Sequence, residues 1–167
     1  NRHNLDWVAS VFARLLLLCA SKHIHTMELA IVKDQEKAKV FTDVQNYLST
    51  LGLRAVATDF ARPWGGFFVI DEAQAQEFAS LFFPHLEFSS ILLNRKFSPK
   101  ILVVQGHKRL SWQYHHRRAE IWKVVAGEVG VVTSDTDAEG PLQRLKVDDI
   151  IELRQGQRHR LVGLEGW

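Results

Sequence analysis

The stretch Gln113-Tyr114-His115-His116-Arg117-Arg118-Ala119-Glu120 sets a carboxamide, imidazoles and a carboxylate side by side, and Arg158-His159-Arg160 adds a second His-centred basic cluster further along the chain. Side chains alternate across a β-strand, so a strand over 110–115 places Ser111, Gln113 and His115 on one face and Trp112 and Tyr114 on the other. Glu120, just across a turn, reaches the same point from the next strand, and His159 supplies a fourth donor from a later hairpin. Two imidazoles, a carboxylate and a carboxamide oxygen from Gln113, His115, Glu120 and His159 suit one divalent metal ion. Zinc is put first; manganese, iron, cobalt and nickel also fit, and the spacing leaves the ion open. A lone strand histidine is ordinarily a core or surface residue, and it is the joint spacing that points to a metal.

Those donors need a sheet to hold them. The segments 89–94, 100–105, 110–115, 121–126, 128–134, 143–146, 150–153 and 159–162 read as successive short strands separated by turn formers such as Gly106, Gly127 and Gly156. Strands at this spacing, with no helix between them, indicate an antiparallel sandwich or small barrel whose mouth takes one small ligand. Upstream, Ala38, Val40, Phe41, Val44, Leu48 and Leu51 recur at helical spacing within 33–51, with Gly52 placed as a C-terminal cap. Residues 53–59 alternate weakly, 66–70 are apolar, and Asp71 caps a helix over 72–83 that Pro84 ends. The chain therefore divides into an N-terminal extension at 1–26, read as an extra helix or a non-native addition, a helical and mixed preface at 27–88, and a barrel at 89–167 whose C-terminal end is expected to be incomplete.

Composition narrows the possibilities. With 167 residues, 46% of them hydrophobic and 24% charged, the sequence fits one folded unit with a sizeable core. Lys and Arg number eight against ten acidic residues over 1–94, and thirteen against nine over 95–167, so the basic excess travels with the His-rich motifs. Such a field suits a small phosphorylated or carboxylated ligand as well as it suits a solvated basic face. No basic run with interleaved aromatics suggests nucleic acid. The apolar stretch 8–20 is interrupted by Arg14 and is too short to span a membrane. Cys19, the sole cysteine, excludes an intrachain disulfide and points to a reducing, cytoplasmic compartment.

Gly106, Gln113-x-His115, Glu120 and Gly127 resemble the first cupin motif, with Gln in place of its first His; Asp148 through Gly156 to His159 resembles the second. Asp148 stands where that motif usually has glycine, Arg154 where it usually has proline, and Gly163 where it often has asparagine. Within cupins the chain resembles the C-terminal domain of type II mannose-6-phosphate isomerases. The resemblance runs from Arg62-Pro63-Trp64-Gly65 through Lys100-Ile101, Gln105-Gly106 and 110–122 to Val124-Val125, Gly127 and His159-Arg160-Leu161. It implies a mainly β, cupin-type antiparallel β-barrel (jelly roll) with N-terminal helices. No Gly-rich nucleotide-binding start precedes the motif, so guanylyl transfer is not expected.

The activity the resemblance implies is metal-dependent interconversion of aldose and ketose sugar phosphates. Lys100 and Glu120 are the candidate bases, although a carboxylate spent on a metal is a poor one; burial of Lys100 on its strand lowers its pKa and fits it for proton transfer. Arg158 and Arg160, flanking a ligand, are the better phosphate candidates, joined by Arg62; Arg117 and Arg118 suit phosphate or plain solvated turn charges equally. Trp64 and Trp122 read as core or rim aromatics. The alternative is a non-catalytic module that binds a sugar or sugar nucleotide. A homodimer is implied by resemblance alone.

Overall fold

The computed structural model describes residues 6–11, 29, 31, 33–87 and 96–167. The expected strand at 89–94 lies outside them, as does most of the apolar stretch 8–20. Nine strands and two helices follow in chain order: β1 (Asp6–Val11), α1 (Lys37–Thr50), β2 (Ala55–Asp59), β3 (Gly65–Ile70), a 3-10 turn at Glu72–Gln74 leading into α2 (Ala75–Phe82), then β4 (Lys100–Val104), β5 (Arg118–Lys123), β6 (Val129–Ser134), β7 (Leu142–Leu145), β8 (Ile150–Leu153) and β9 (Arg158–Gly163). None of the described helices is long and apolar enough to cross a membrane.

The strands make two sheets, β2-β3-β4-β1-β5-β8 and β7-β6-β9, and no closed barrel forms among the described residues. The mainly β, cupin-like character holds; the single barrel is replaced by two sheets. A second correction concerns the N-terminus. Residues 6–11 form no helix: β1 lies parallel between β4 and β5, pairing Ser10 with Lys100 and Val8 with Glu120, while every other pairing is antiparallel. Asp6-Trp7-Val8-Ala9-Ser10-Val11 carries the aromatic and β-branched types that strands favour.

A third correction is local. Residues 110–115 are not a regular strand but an extended segment clipped onto β9 by two bridges, Arg109 with Val162 and Gln113 with His159. The backbone N–H of Gln113 donates to the carbonyl of His159 at 3.2 Å, and the N–H of His159 donates back to the carbonyl of Gln113 at 2.8 Å. The expected strand at 121–126 begins three residues earlier, at Arg118.

Helix α1 buries Val40, Phe41, Val44, Tyr47 and Leu48 along one face. It starts after Glu36 and ends where the backbone N–H of Gly52 bonds the carbonyl of Ser49 (3.1 Å) and that of Leu53 bonds Leu48 (2.9 Å). These paired bonds require a left-handed residue, and Gly52 at φ +73° supplies it without a Cβ clash. In α2 the apolar face holds Ala75, Phe78, Ala79 and Phe82, with the Asp71 side chain accepting from the N–H of Ala73 at its start. The sheets and helices share one core that includes Phe68, Phe78, Phe97, Leu153 and Leu161.

Tyr47 is the anomaly in that core. Its hydroxyl is buried without a hydrogen-bond partner among the described residues, and burial pushes its pKa up to about 12. The folded protein thus favours the neutral phenol: the associated stability is complete below the ordinary value of 10 and is lost as pH rises through about 12. Tyr47→Phe removes an unsatisfied polar atom and is expected to raise stability near neutrality by about 1 kcal/mol. It is also expected to flatten the alkaline loss. Denaturant melts at pH 7 and 11 measure both.

Candidate metal centre

The turn Arg62-Pro63-Trp64-Gly65 starts the site. The N–H of Gly65 bonds the carbonyl of Arg62 at 3.1 Å, and Gly65 at φ +137° lies so close to β4 that a Cβ would meet the Val103 carbonyl oxygen at 2.0 Å. No other residue fits, and the constraint brings Arg62 and Trp64 to the mouth of a cleft of about 300 Å³. Lys100 and Leu102 reach it from alternate positions of β4, and Arg118, Glu120 and Trp122 from alternate positions of β5. Gln113 and His115 line it from the extended segment. Glu120 is the single carboxylate among the lining residues, facing the three cations of Arg62, Lys100 and Arg118.

His115 and Glu120 on the cleft wall, and buried His159, offer donor atoms that all lie within 4.8 Å of one another. His115 Nε2 is 2.9 Å from Glu120 Oε1, and His159 Nε2 is 3.7 Å from Glu120 Oε2. His159 is 1% exposed, yet its Nε2 has no hydrogen-bond partner among the described residues. Its other nitrogen, Nδ1, lies 3.0 Å from the carbonyl of Gln157. A carbonyl only accepts, so Nδ1 carries the proton and Nε2 points a lone pair at Glu120. Metal-binding imidazoles are commonly oriented by this kind of contact. Burial pushes the His159 pKa down, against the upward pull of Glu120 and of the Gln157 bond, and so keeps the lone pair available. Burial pushes Glu120 up, but the hydrogen bond and charge of His115, with the charges of His159 and Arg118, outweigh it and hold the carboxyl below its ordinary value. A buried imidazole nitrogen with no hydrogen-bond partner among the described residues, beside a carboxylate and a second imidazole, is a donor set that could hold a divalent cation.

Trp122, 2% exposed, donates from Nε1 to Glu120 Oε2 at 2.9 Å. Read from sequence as a core aromatic, it also aims the carboxylate; its place two residues after Glu120 on one strand face was the signal. Trp122→Phe is expected to leave the fold intact and weaken metal binding by roughly 10–100-fold, the usual cost of losing such a support. Calorimetric titration with zinc checks it.

The remaining candidates divide. Lys100 sits with Nζ 5.6 Å above the Phe67 ring, and burial, reinforced by the charge of Arg118, pushes its pKa down. Arg62 lines the cleft while pairing with Asp59 at 2.8 Å. Gln113 lines it too, its Oε1 accepting from the Ser111 hydroxyl at 3.3 Å. Arg158 and Arg160 are not brought to the cleft. They alternate with inward-facing His159 and Leu161 on β9, so they leave by the opposite face. There Arg158 pairs with Asp137 at 2.5 Å over the Tyr114 ring, and Arg160 pairs with Glu139 at 2.5 Å over Trp112. Arg118, undecided from sequence, is the arginine that enters the site: its Nε lies 3.2 Å from Glu120 Oε1 and a terminal nitrogen 3.1 Å from His115 Nε2.

One departure from the second cupin motif has a backbone explanation. Asp148, at φ +72°, holds the left-handed backbone that glycine would adopt, a conformation aspartate tolerates better than most residues, and Lys123 pairs with it at 3.1 Å.

Residues 70–164, more than half of the chain, match the family described as Mannose-6-phosphate isomerase C-terminal. No curated protein and no solved structure matches the chain.

Proposed function

The chain belongs to the mannose-6-phosphate isomerase C-terminal family, and from that premise we propose that it interconverts the aldose and ketose forms of a sugar phosphate with the help of one divalent metal, zinc foremost. The observation that carries this reading is the buried, unpartnered Nε2 of His159 beside Glu120 and His115. These three side chains, with Gln113 on the same wall, are the proposed metal ligands. A metal held there supplies Lewis-acid polarisation of the sugar's carbonyl and adjacent hydroxyl.

The chain's own groups do the rest. Trp122 fixes the orientation of the Glu120 carboxylate, and a carboxylate spent on a metal is a poor base. Lys100 is left as the base. With no carboxylate in ion-pair range among the described residues, and with its pKa lowered by burial, its neutral amine takes the proton from the carbon beside the carbonyl. It returns that proton to the former carbonyl carbon, while the hydroxyl proton passes between the two oxygens, so the aldose becomes a ketose with no atom gained or lost. Arg62 and Arg118 hold the phosphate at the mouth, and Trp64 and Phe67 cover the sugar and exclude water.

A coupled assay with mannose 6-phosphate and related sugar phosphates, with divalent metals added in turn, tests the proposal; absence of turnover by metal-loaded protein would overturn it. The engagement of both Glu120 oxygens favours one second reading, a module that binds a sugar phosphate without converting it. Tight binding without turnover would select that reading.

A further inference from the structure

His115 Nε2 makes two contacts that call for opposite placements of its proton, and the Arg118 guanidinium stands beside both. His115 Nε2 lies 2.9 Å from Glu120 Oε1 and 3.1 Å from an Arg118 terminal nitrogen. If Nε2 carries the proton, it bonds Glu120 but faces an arginine donor. If Nε2 is bare, it accepts from Arg118 but turns a lone pair towards a carboxylate oxygen. In the second case the guanidinium reconciles the three groups, because its Nε also reaches Glu120 Oε1 at 3.2 Å. Arginine thus puts one delocalised cation against the two atoms, His115 Nε2 and Glu120 Oε1, that belong to the proposed metal cradle.

We propose that Arg118 is a built-in surrogate cation that holds the metal-free cradle together and is released into the cleft when metal binds, so that metal and anionic ligand bind cooperatively. This rests on the metal-site reading above. Arg118 begins β5, where its backbone is fixed by pairing with β1, but its side chain is about one-third exposed and borders the open cleft. Released, it joins Arg62 and Lys100 in facing whatever anion the cleft admits. A metal must displace a guanidinium to bind; an anion that draws the guanidinium away removes that competition. By linkage, each ligand then tightens the other by the same factor.

Cobalt(II) titrations of the full chain, followed by visible absorption with and without methyl phosphate, test the proposal. Charge-assisted contacts of this kind predict that Arg118→Gln binds cobalt roughly tenfold more tightly than the unaltered protein and melts at a lower temperature without metal. Methyl phosphate is expected to tighten cobalt binding by about fivefold in the unaltered protein and not at all in the variant. Arg118→Lys, which keeps charge but loses the fork, is expected to fall between them, and Arg117→Gln, at the exposed neighbour, is expected to behave as the unaltered protein. Should both Arg118 variants bind cobalt no more tightly than the unaltered protein, or should methyl phosphate leave its affinity unmoved, the surrogate role is overturned while the metal site stands. Failure of the unaltered protein to bind cobalt overturns both.

Discussion

Replacing His159 with alanine is expected to lower metal affinity by well over the roughly 100-fold that loss of a supporting contact costs, because a ligand itself is removed. His159 is the most deeply buried of the three donors, and its Nε2 has no other partner among the described residues. A second variant separates ligation from packing. His159→Gln refills much of the volume, so it should recover part of the thermal stability that His159→Ala loses while still binding metal poorly. Elemental analysis of protein purified without an affinity metal, together with calorimetric titration, reads the outcome. Equal metal content in both variants and the unaltered protein would remove the metal from the proposal.

The second large effect is expected at Lys100. Lys100→Met keeps an unbranched side chain against Phe67 but has no proton acceptor, so kcat should fall by about 10²–10⁴-fold, the range contributed by a positioned base. Metal affinity should stay unchanged, since Lys100 is not in the ligand cluster. The sign of the pH dependence follows from the lowered pKa. The base works as a neutral amine, so kcat/KM should rise with pH until it levels above that lowered value, short of the ordinary lysine value of 10.5. The rise should vanish in Lys100→Met. A profile that keeps its shape in the variant would assign the proton to another group.

Much of this site is legible in the residue order. The spacing of His115 and Glu120 across a short turn, with His159 on a later strand, brings together the donors the structure gathers. Strand alternation also carries information that a motif-level reading passes over. Arg158 and Arg160 flank His159, and for that reason they cannot share its face. Glu120 inward likewise selects Arg118 over Arg117. The acidic loop repeats this logic, since Asp135, Asp137 and Glu139, at every second position, meet Arg154, Arg158 and Arg160. What the residue order conceals is long-range pairing. Nothing in 6–11 announces two parallel neighbours ninety or more residues downstream, and nothing in 110–115 reveals that the segment meets β9 through isolated bridges rather than a regular ladder.

That parallel pairing fixes the reach of the chemistry. Lys100 and Glu120 stand on β4 and β5, strands that do not hydrogen-bond each other because β1 is wedged between them. Two inter-strand steps of about 4.8 Å, together with the two-residue offset between Ser10, which pairs with Lys100, and Val8, which pairs with Glu120, set their backbones about 12 Å apart. On the proposed function, such a gap would admit a small sugar between amine and carboxylate. Through its backbone pairing alone, the first described segment of the chain acts as the gauge block that sets the jaw opening.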